Sequence, residues 1–261
     1  MPIRKPTLAE WFLSHQLRAI KKNQFHLPIS IPIDVTRLRR HYTELGKSPP
    51  YTALIVKAIA LMARKYPVVN RMGFAGLGGR RILEFDHISV ILPIVMDFDG
   101  NRLLSAAAIR HADQLSVTEI RKEIQKAKDR KITELPVGKF ILNRNNHLVN
   151  RLCLRFVHFL AYRLAFLQEQ RGGGLAFSSL LHLKSPTLAL MPFSYGPTAL
   201  TFCAVSIHEQ AGRSELLMGV SFDHFVLGGE DAMIAVKHLS EILSGLDAAA
   251  FRELCDEAFA L

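Results

Sequence analysis

Cysteine is scarce in this 261-residue sequence: Cys153, Cys203 and Cys255 stand far apart with no paired-ligand pattern. Their spacing excludes a disulfide framework and a structural zinc site, and reads as small buried hydrophobes. No neighbouring pattern marks any of them as a nucleophile. The opening MPIRKPTLAEWFLSHQLRAIKK alternates apolar with charged positions and lacks the uninterrupted apolar core of a secretory signal, so a cytoplasmic location is expected. Internal repeats, Ser/Pro linkers, basic low-complexity tails and zinc-finger spacings are also missing. One domain spanning 1–261 is therefore expected, and nucleic acid ranks low as a partner.

Hydrophobic residues make up 49% of the chain, enough for a substantial core. Lysine and arginine number 33 against 23 acidic residues, a formal charge of +10. That excess suits an anionic partner: a phosphorylated cofactor, an acidic carrier protein or a membrane surface. Charge alone does not choose among them.

The segment from Leu8 to Lys22 has apolar residues at helical spacing and a basic end, predicting an amphipathic helix. FHLPISIPIDVTRL alternates at period two and predicts a strand with Asp34 and Thr36 near its end. Tyr51 to Lys65 reads as a buried helix stopped by Pro67. FAGLGG marks a turn, and HISVILPIVMDFDG a β-branched strand running into an Asp-Gly loop near Asp99, to which no chemistry is assigned. SVTEIRKEIQKAKDRK, from Ser116 to Lys131, opens with a capping-box pattern of serine followed three residues later by glutamate.

Between Phe140 and Gln170 long apolar runs are interrupted by Arg144, Arg151, Arg155 and Arg163, largely along one helical stripe. A membrane span would not carry them comfortably. Packing with a solvated basic edge and an in-plane membrane or anionic-partner surface both remain readings of this stripe, packing being preferred. The run Gly172 to Gly174 separates it from GLAFSSLLH and from apolar strand-like segments through Ile207. A helix from Glu230 to Leu243 and a short amphipathic tail close the chain.

The most informative stretch is MGVSFDHFVLGGEDAMIAVKHLSEIL, where a strand ends at His224, a glycine pair turns the chain and a helix follows. A histidine at a strand end projects readily into a cleft. A single histidine is nevertheless more often structural than catalytic.

This stretch resembles the end of the catalytic domain of dihydrolipoyl acyltransferases, the core subunits of 2-oxoacid dehydrogenase complexes, whose fold is shared with chloramphenicol acetyltransferase. The family pattern Ser-Phe-Asp-His-Arg-x-x-Asp-Gly is met by Ser221, Phe222, Asp223, His224 and Gly229. Other stretches resemble the family in the same order: FHLPISIPIDVTRL its early strand, IVKAIALMARKYPVVN the next helix with its Pro-x-Val-Asn ending, ADQLSVTEIRKEI the charged helix, and LAFSSLLH a strand ending in serine. The likeness covers most of the chain, apart from an arginine-striped insertion at about 139–171. It implies an α/β, chloramphenicol acetyltransferase-like two-layer sandwich with a mixed β-sheet and flanking helices.

In that family a histidine takes the proton of a CoA or dihydrolipoamide thiol, and the thiolate attacks an acyl thioester. Imidazole suits the step because its unperturbed pKa lies near working pH, whereas a free thiol at about 8.5 is mostly protonated. The resemblance makes His224 the base and Ser178 the hydroxyl that donates to the oxyanion, with Ser179 its rival and Asp223 and Gly229 in support. Without the resemblance, Ser178 would read as an ordinary serine between strand and turn. The family's site lies between subunits, which implies a homotrimer or a cage of trimers. CoA or acyl-CoA is then a substrate, with an acyl carrier protein or a lipoyl domain acting in trans as the macromolecular partner. No lipoyl-like segment and no metal-ligand pattern occurs in the sequence.

Two charges of the family motif are missing: Phe225 stands for its arginine and Gly228 for its aspartate. Joint loss avoids leaving one charge buried and unpaired. Glu230 and Asp231 follow at the helix start, where carboxylates are favourable. Three functions are weighed: a standalone acyltransferase moving an acyl group between a CoA or carrier thioester and a thiol, hydroxyl or amine acceptor, favoured by His224, Asp223 and Ser178; a non-catalytic trimeric scaffold with a decayed motif; and a peripheral membrane role for the arginine stripe.

Overall fold

A computed structural model describes residues 24–76, 79–98, 101–130, 172–183 and 198–255, with residue 14 and the pairs 152–153, 155–156 and 159–160. The expected helix from Leu8 to Lys22 and most of the arginine stripe lie outside the described residues.

Among the described residues six strands form one mixed sheet in the order β1-β8-β7-β6-β4-β5. Strand β1 (His26–Asp34) carries Pro28 and Pro32 and takes the edge beside β8 (Arg213–Asp223), where a missing amide proton leaves no gap in a second ladder. β8 runs antiparallel to β7 (Leu200–Gln210), which is parallel to β6 (Leu175–Ser179). β6 touches β4 (Val90–Phe98) through Val90 and Ile91 alone, so Pro93 sits beyond that ladder. β4 and β5 (Asn101–Ile109) form a hairpin around the Asp-Gly signal. A separate hairpin, β2 (Arg71–Gly76) and β3 (Gly79–Glu84), flanks the turn marked by FAGLGG.

The helices that lie wholly within the described residues are α1 (Thr36–Glu44), α2 (Tyr51–Lys65), α3 (Val117–Asp129), α4 (Gly229–Ser244) and α5 (Ala248–Cys255). α2 is buried at every residue from Ala53 to Ala63, as its nearly uniform apolar composition dictates, and a short 3-10 turn at Pro67 follows it. Lys57, on this buried helix, directs its Nζ to the carbonyl of Asp113 at 2.7 Å and to Glu253 at 3.4 Å. α3 starts at the foreseen capping box: the Ser116 hydroxyl accepts from the Glu119 amide, and the Glu119 carboxylate accepts from the Ser116 amide.

Thr36 is a correction. The strand stops at Asp34, whose Oδ1 accepts the Thr36 amide proton at 2.9 Å, and Thr36 opens α1. The aspartate satisfies an amide that would otherwise continue the ladder. The glycine run also does more than separate segments: a Cβ at Gly174 would stand 2.3 Å from the backbone of Arg71, so only glycine permits this approach.

The core lies on one face of the sheet, where Val90, Leu92, Leu175, Phe177, Leu200, Phe202, Met218, Val220 and Phe222 meet the helices. Residues alternating with these, among them Ser178, Thr201, Cys203, Ser221 and Asp223, project from the other face. The sheet therefore has an apolar helix-covered side and a side rich in short polar groups.

Candidate active site

β8 continues to Asp223, and His224 is the first residue of the turn that leads to α4. Its amide donates to the Phe25 carbonyl at 2.8 Å, tying the turn to the start of β1. The imidazole is exposed, with Phe25 stacked at 6.5 Å between ring centroids and Phe222 meeting it edge-on at 5.8 Å. Phe225 packs against Phe25 at 5.9 Å, so the histidine stands on an aromatic shelf.

Asp223 organises this turn. Only 1% exposed, it accepts at Oδ1 from the amides of Phe25 at 3.0 Å and Phe225 at 3.1 Å. Its carbonyl accepts from Val226 and Leu227. Its second oxygen, Oδ2, is buried and has no hydrogen-bond partner among the described residues. The clamp brackets His224 from both sides through backbone amides, at Phe25 and Phe225. Glu230 and Asp231 stand exposed in the first turn of α4, behind the Gly228 N-cap. Gly229 has open space where a Cβ would be, so packing within one chain does not demand glycine there.

Gly73 is a site residue that sequence reasoning passed over. A Cβ on this β2 residue would lie 2.8 Å from Cγ2 of Val226 and 3.7 Å from Oδ2 of Asp223. The hairpin's glycine thus lets the His224 turn settle against it. It stands just before the FAGLGG run that marks the turn, and no local pattern singles it out.

Ser178 and Ser179 point to opposite faces because they are consecutive in β6. Ser178 shares the polar face with Asp223, while Ser179 lies on the side of Phe177 and the helices. Ser178 pairs with Cys203, which pairs with Gly219. His224 follows Gly219 by five residues, so it lies about 16 Å along the strands and about 10 Å across them from Ser178. Within one chain the structure does not bring the two together.

Cys203 is 2% exposed, and burial pushes its thiol up to about 11 against the opposing effect of the Ser178 hydroxyl beside it. Such a thiol stays protonated, which removes it as a nucleophile at neutral pH. Cys255 is buried as foreseen, and Cys153 is half-buried.

His26 is a second histidine beside the turn. Its Nε2 lies 2.8 Å from Gln24 Oε1 and its Nδ1 3.3 Å from the Ser221 hydroxyl. The pattern resembles a serine-histidine dyad with an orienting amide, but Ser221 is fully buried and no substrate can reach it. Burial lowers the His26 pKa, with the Asp223 charge opposing it, so the ring is neutral and structural.

An open groove of about 420 Å³ lies at the other end of the sheet, between α1 and the β7–β8 hairpin, lined by Arg39, Arg40, Glu209, Arg213 and their neighbours. Arg39 is held there by Glu209 and the Ser214 hydroxyl. None of the sequence-predicted site residues lines it. Among the described residues no group of three or more side chains could hold a metal, and no helix is long and apolar enough to cross a membrane.

This architecture is the chloramphenicol acetyltransferase-like fold. The truncated catalytic core of the 2-oxoacid dehydrogenase multienzyme complex from Thermoplasma acidophilum matches with a TM-score of 0.67 and 15% identity, covering 93% of this chain and 98% of that one. A dihydrolipoamide acetyltransferase from Azotobacter vinelandii, studied for the roles of a serine, a histidine and an asparagine in its catalytic mechanism, matches with a TM-score of 0.63 and 18% identity over 95% of this chain and 93% of that one. Chloramphenicol acetyltransferase matches with a TM-score of 0.51 and 12% identity, covering 91% of this chain and 96% of that one. No family model matches the sequence. No curated protein matches it either.

Proposed function

We propose that the chain is an acyltransferase in which His224 of one copy and Ser178 of an adjoining copy form the site, with CoA or a carrier thioester as acyl donor. The observation that carries this reading is the exposed imidazole of His224, held by the Asp223 clamp at the strand end, on a fold whose solved counterparts are acyltransferases. The separation of Ser178 from His224 within one chain supports a shared site, since a second copy can supply the hydroxyl. A homotrimer or a cage of trimers, in keeping with the cubic core of the pyruvate dehydrogenase complex that this chain is similar to, is the assembly we favour for bringing two copies together.

In the reaction, a ring nitrogen of His224 accepts the acceptor's proton as its sulfur or oxygen attacks the acyl carbonyl. The carbonyl oxygen becomes an oxyanion, and the Ser178 hydroxyl donates to it; such a donor is worth about 3 kcal/mol. Collapse expels the donor thiolate, which recovers the proton from the imidazolium. The chain's charge of +10 suits the phosphates of CoA or the acidic face of a carrier. Purified protein with acyl-CoA and a thiol acceptor should release CoA, and His224→Ala should stop release while leaving the fold and oligomer intact.

A trimeric scaffold without catalysis is the second reading. Phe225 and the side-chain-free Gly228 favour it: the asparagine named for the Azotobacter enzyme lies four residues past its histidine, the place Gly228 holds here. An intact oligomer that turns over no acyl donor would establish this reading.

A further inference from the structure

Cys203 lies directly across the β6–β7 ladder from Ser178, and both side chains leave the sheet on the polar face. On its other flank the partner is Gly219, which has no side chain, so among its cross-strand partners only Ser178 brings a polar side chain to the thiol. The thiol is 2% exposed and the serine half-buried, so the serine forms the outer member of the pair. Burial keeps the proton on sulfur at neutral pH.

A serine hydroxyl has one proton and two acceptor lone pairs, and a protonated thiol has one weak donor. When the S–H donates to Oγ, it takes one acceptor lone pair and leaves the hydroxyl proton directed away from the sulfur. An alanine or glycine opposite Ser178 would remove that constraint on the rotor.

We propose that Cys203 is a positioning residue: its S–H donates to Oγ of Ser178 and so aims the serine's proton at the oxyanion formed during acyl transfer. This assignment rests on the proposed acyltransferase reading and adds to it a residue that never touches substrate. Sulfur is neither oxidised nor acylated, and its proton is not transferred.

Infrared spectroscopy of the S–H stretch, which falls in a window clear of other protein absorption, reads the bond without any turnover. The band of Cys203, identified by its loss in Cys203→Ala, is expected at lower frequency than a free thiol and should move up in Ser178→Ala; a band that ignores Ser178→Ala overturns the proposal. In steady-state kinetics Cys203→Ala should lower kcat about tenfold with KM unchanged, the scale of one lost hydrogen bond, and Cys203→Ser should restore it. In a Ser178→Ala background the same change should have no further effect. Turnover unaffected by Cys203→Ala overturns the positioning role alone. A wild-type protein that releases no CoA from any acyl donor overturns the acyltransferase reading and the positioning role with it.

Discussion

At the level of single residues, Asp223 bears more of the site than its neighbours because two backbone amides converge on one of its oxygens while the other has no partner among the described residues. Asp223→Ala removes the single acceptor of both hydrogen bonds and should cost about 2–4 kcal/mol, read as a lower Tm together with lost activity. Asp223→Asn keeps an acceptor and discards a buried charge with an unpaired oxygen, so its Tm should fall clearly less; equal losses would refute the clamp. His224→Ala should reduce acyl transfer by about 10²–10⁴-fold with Tm unchanged, since its ring is exposed. His26 gives a pH signature. Its folded pKa is lowered by burial, so the unfolded chain binds more protons at mildly acidic pH. The stability due to its neutral ring is fully present above the unfolded value of about 6.5 and is lost as pH falls through the folded one. Urea unfolding from pH 7.5 downward should show that loss, and His26→Gln should flatten it.

At the level of elements, the His224 turn depends on the β2–β3 hairpin as much as on its own strand. Gly73→Ala would place a methyl 2.8 Å from Val226, so it should destabilise by about 1–3 kcal/mol and lower kcat beyond what the Tm change explains. A Gly73→Ala protein with wild-type kcat would separate the hairpin from the site. Much of this architecture was legible in the sequence, for stated reasons. The apolar run of α2 stopped by Pro67, the Ser116 capping box and the strand expected to end at His224 are local signals; the helix and the capping box lie where the sequence places them, and the strand stops one residue earlier, at Asp223. α1 was missed because its cue is the Asp34 carboxylate turning back onto the Thr36 amide, which the alternating pattern before it masked. Gly73, Gly174 and Cys203 owe their importance to neighbours at least 25 residues away in sequence, and no local pattern reports a partner across a sheet.

For the molecule as described, the sheet keeps helices α1 to α5 on one face and its short polar side chains on the other, and it places Ser178 and His224 on the order of 20 Å apart. An active site built from both needs two copies of the chain. Complementation tests this most directly. His224→Ala and Ser178→Ala proteins are each expected to be inactive as separate oligomers. Unfolded together in equal amounts and refolded, they should form mixed oligomers in which about a quarter of the sites pair an intact histidine with an intact serine, and acyl transfer should return to that fraction of the wild-type rate. Mixed oligomers that form without any recovered transfer would contradict the account.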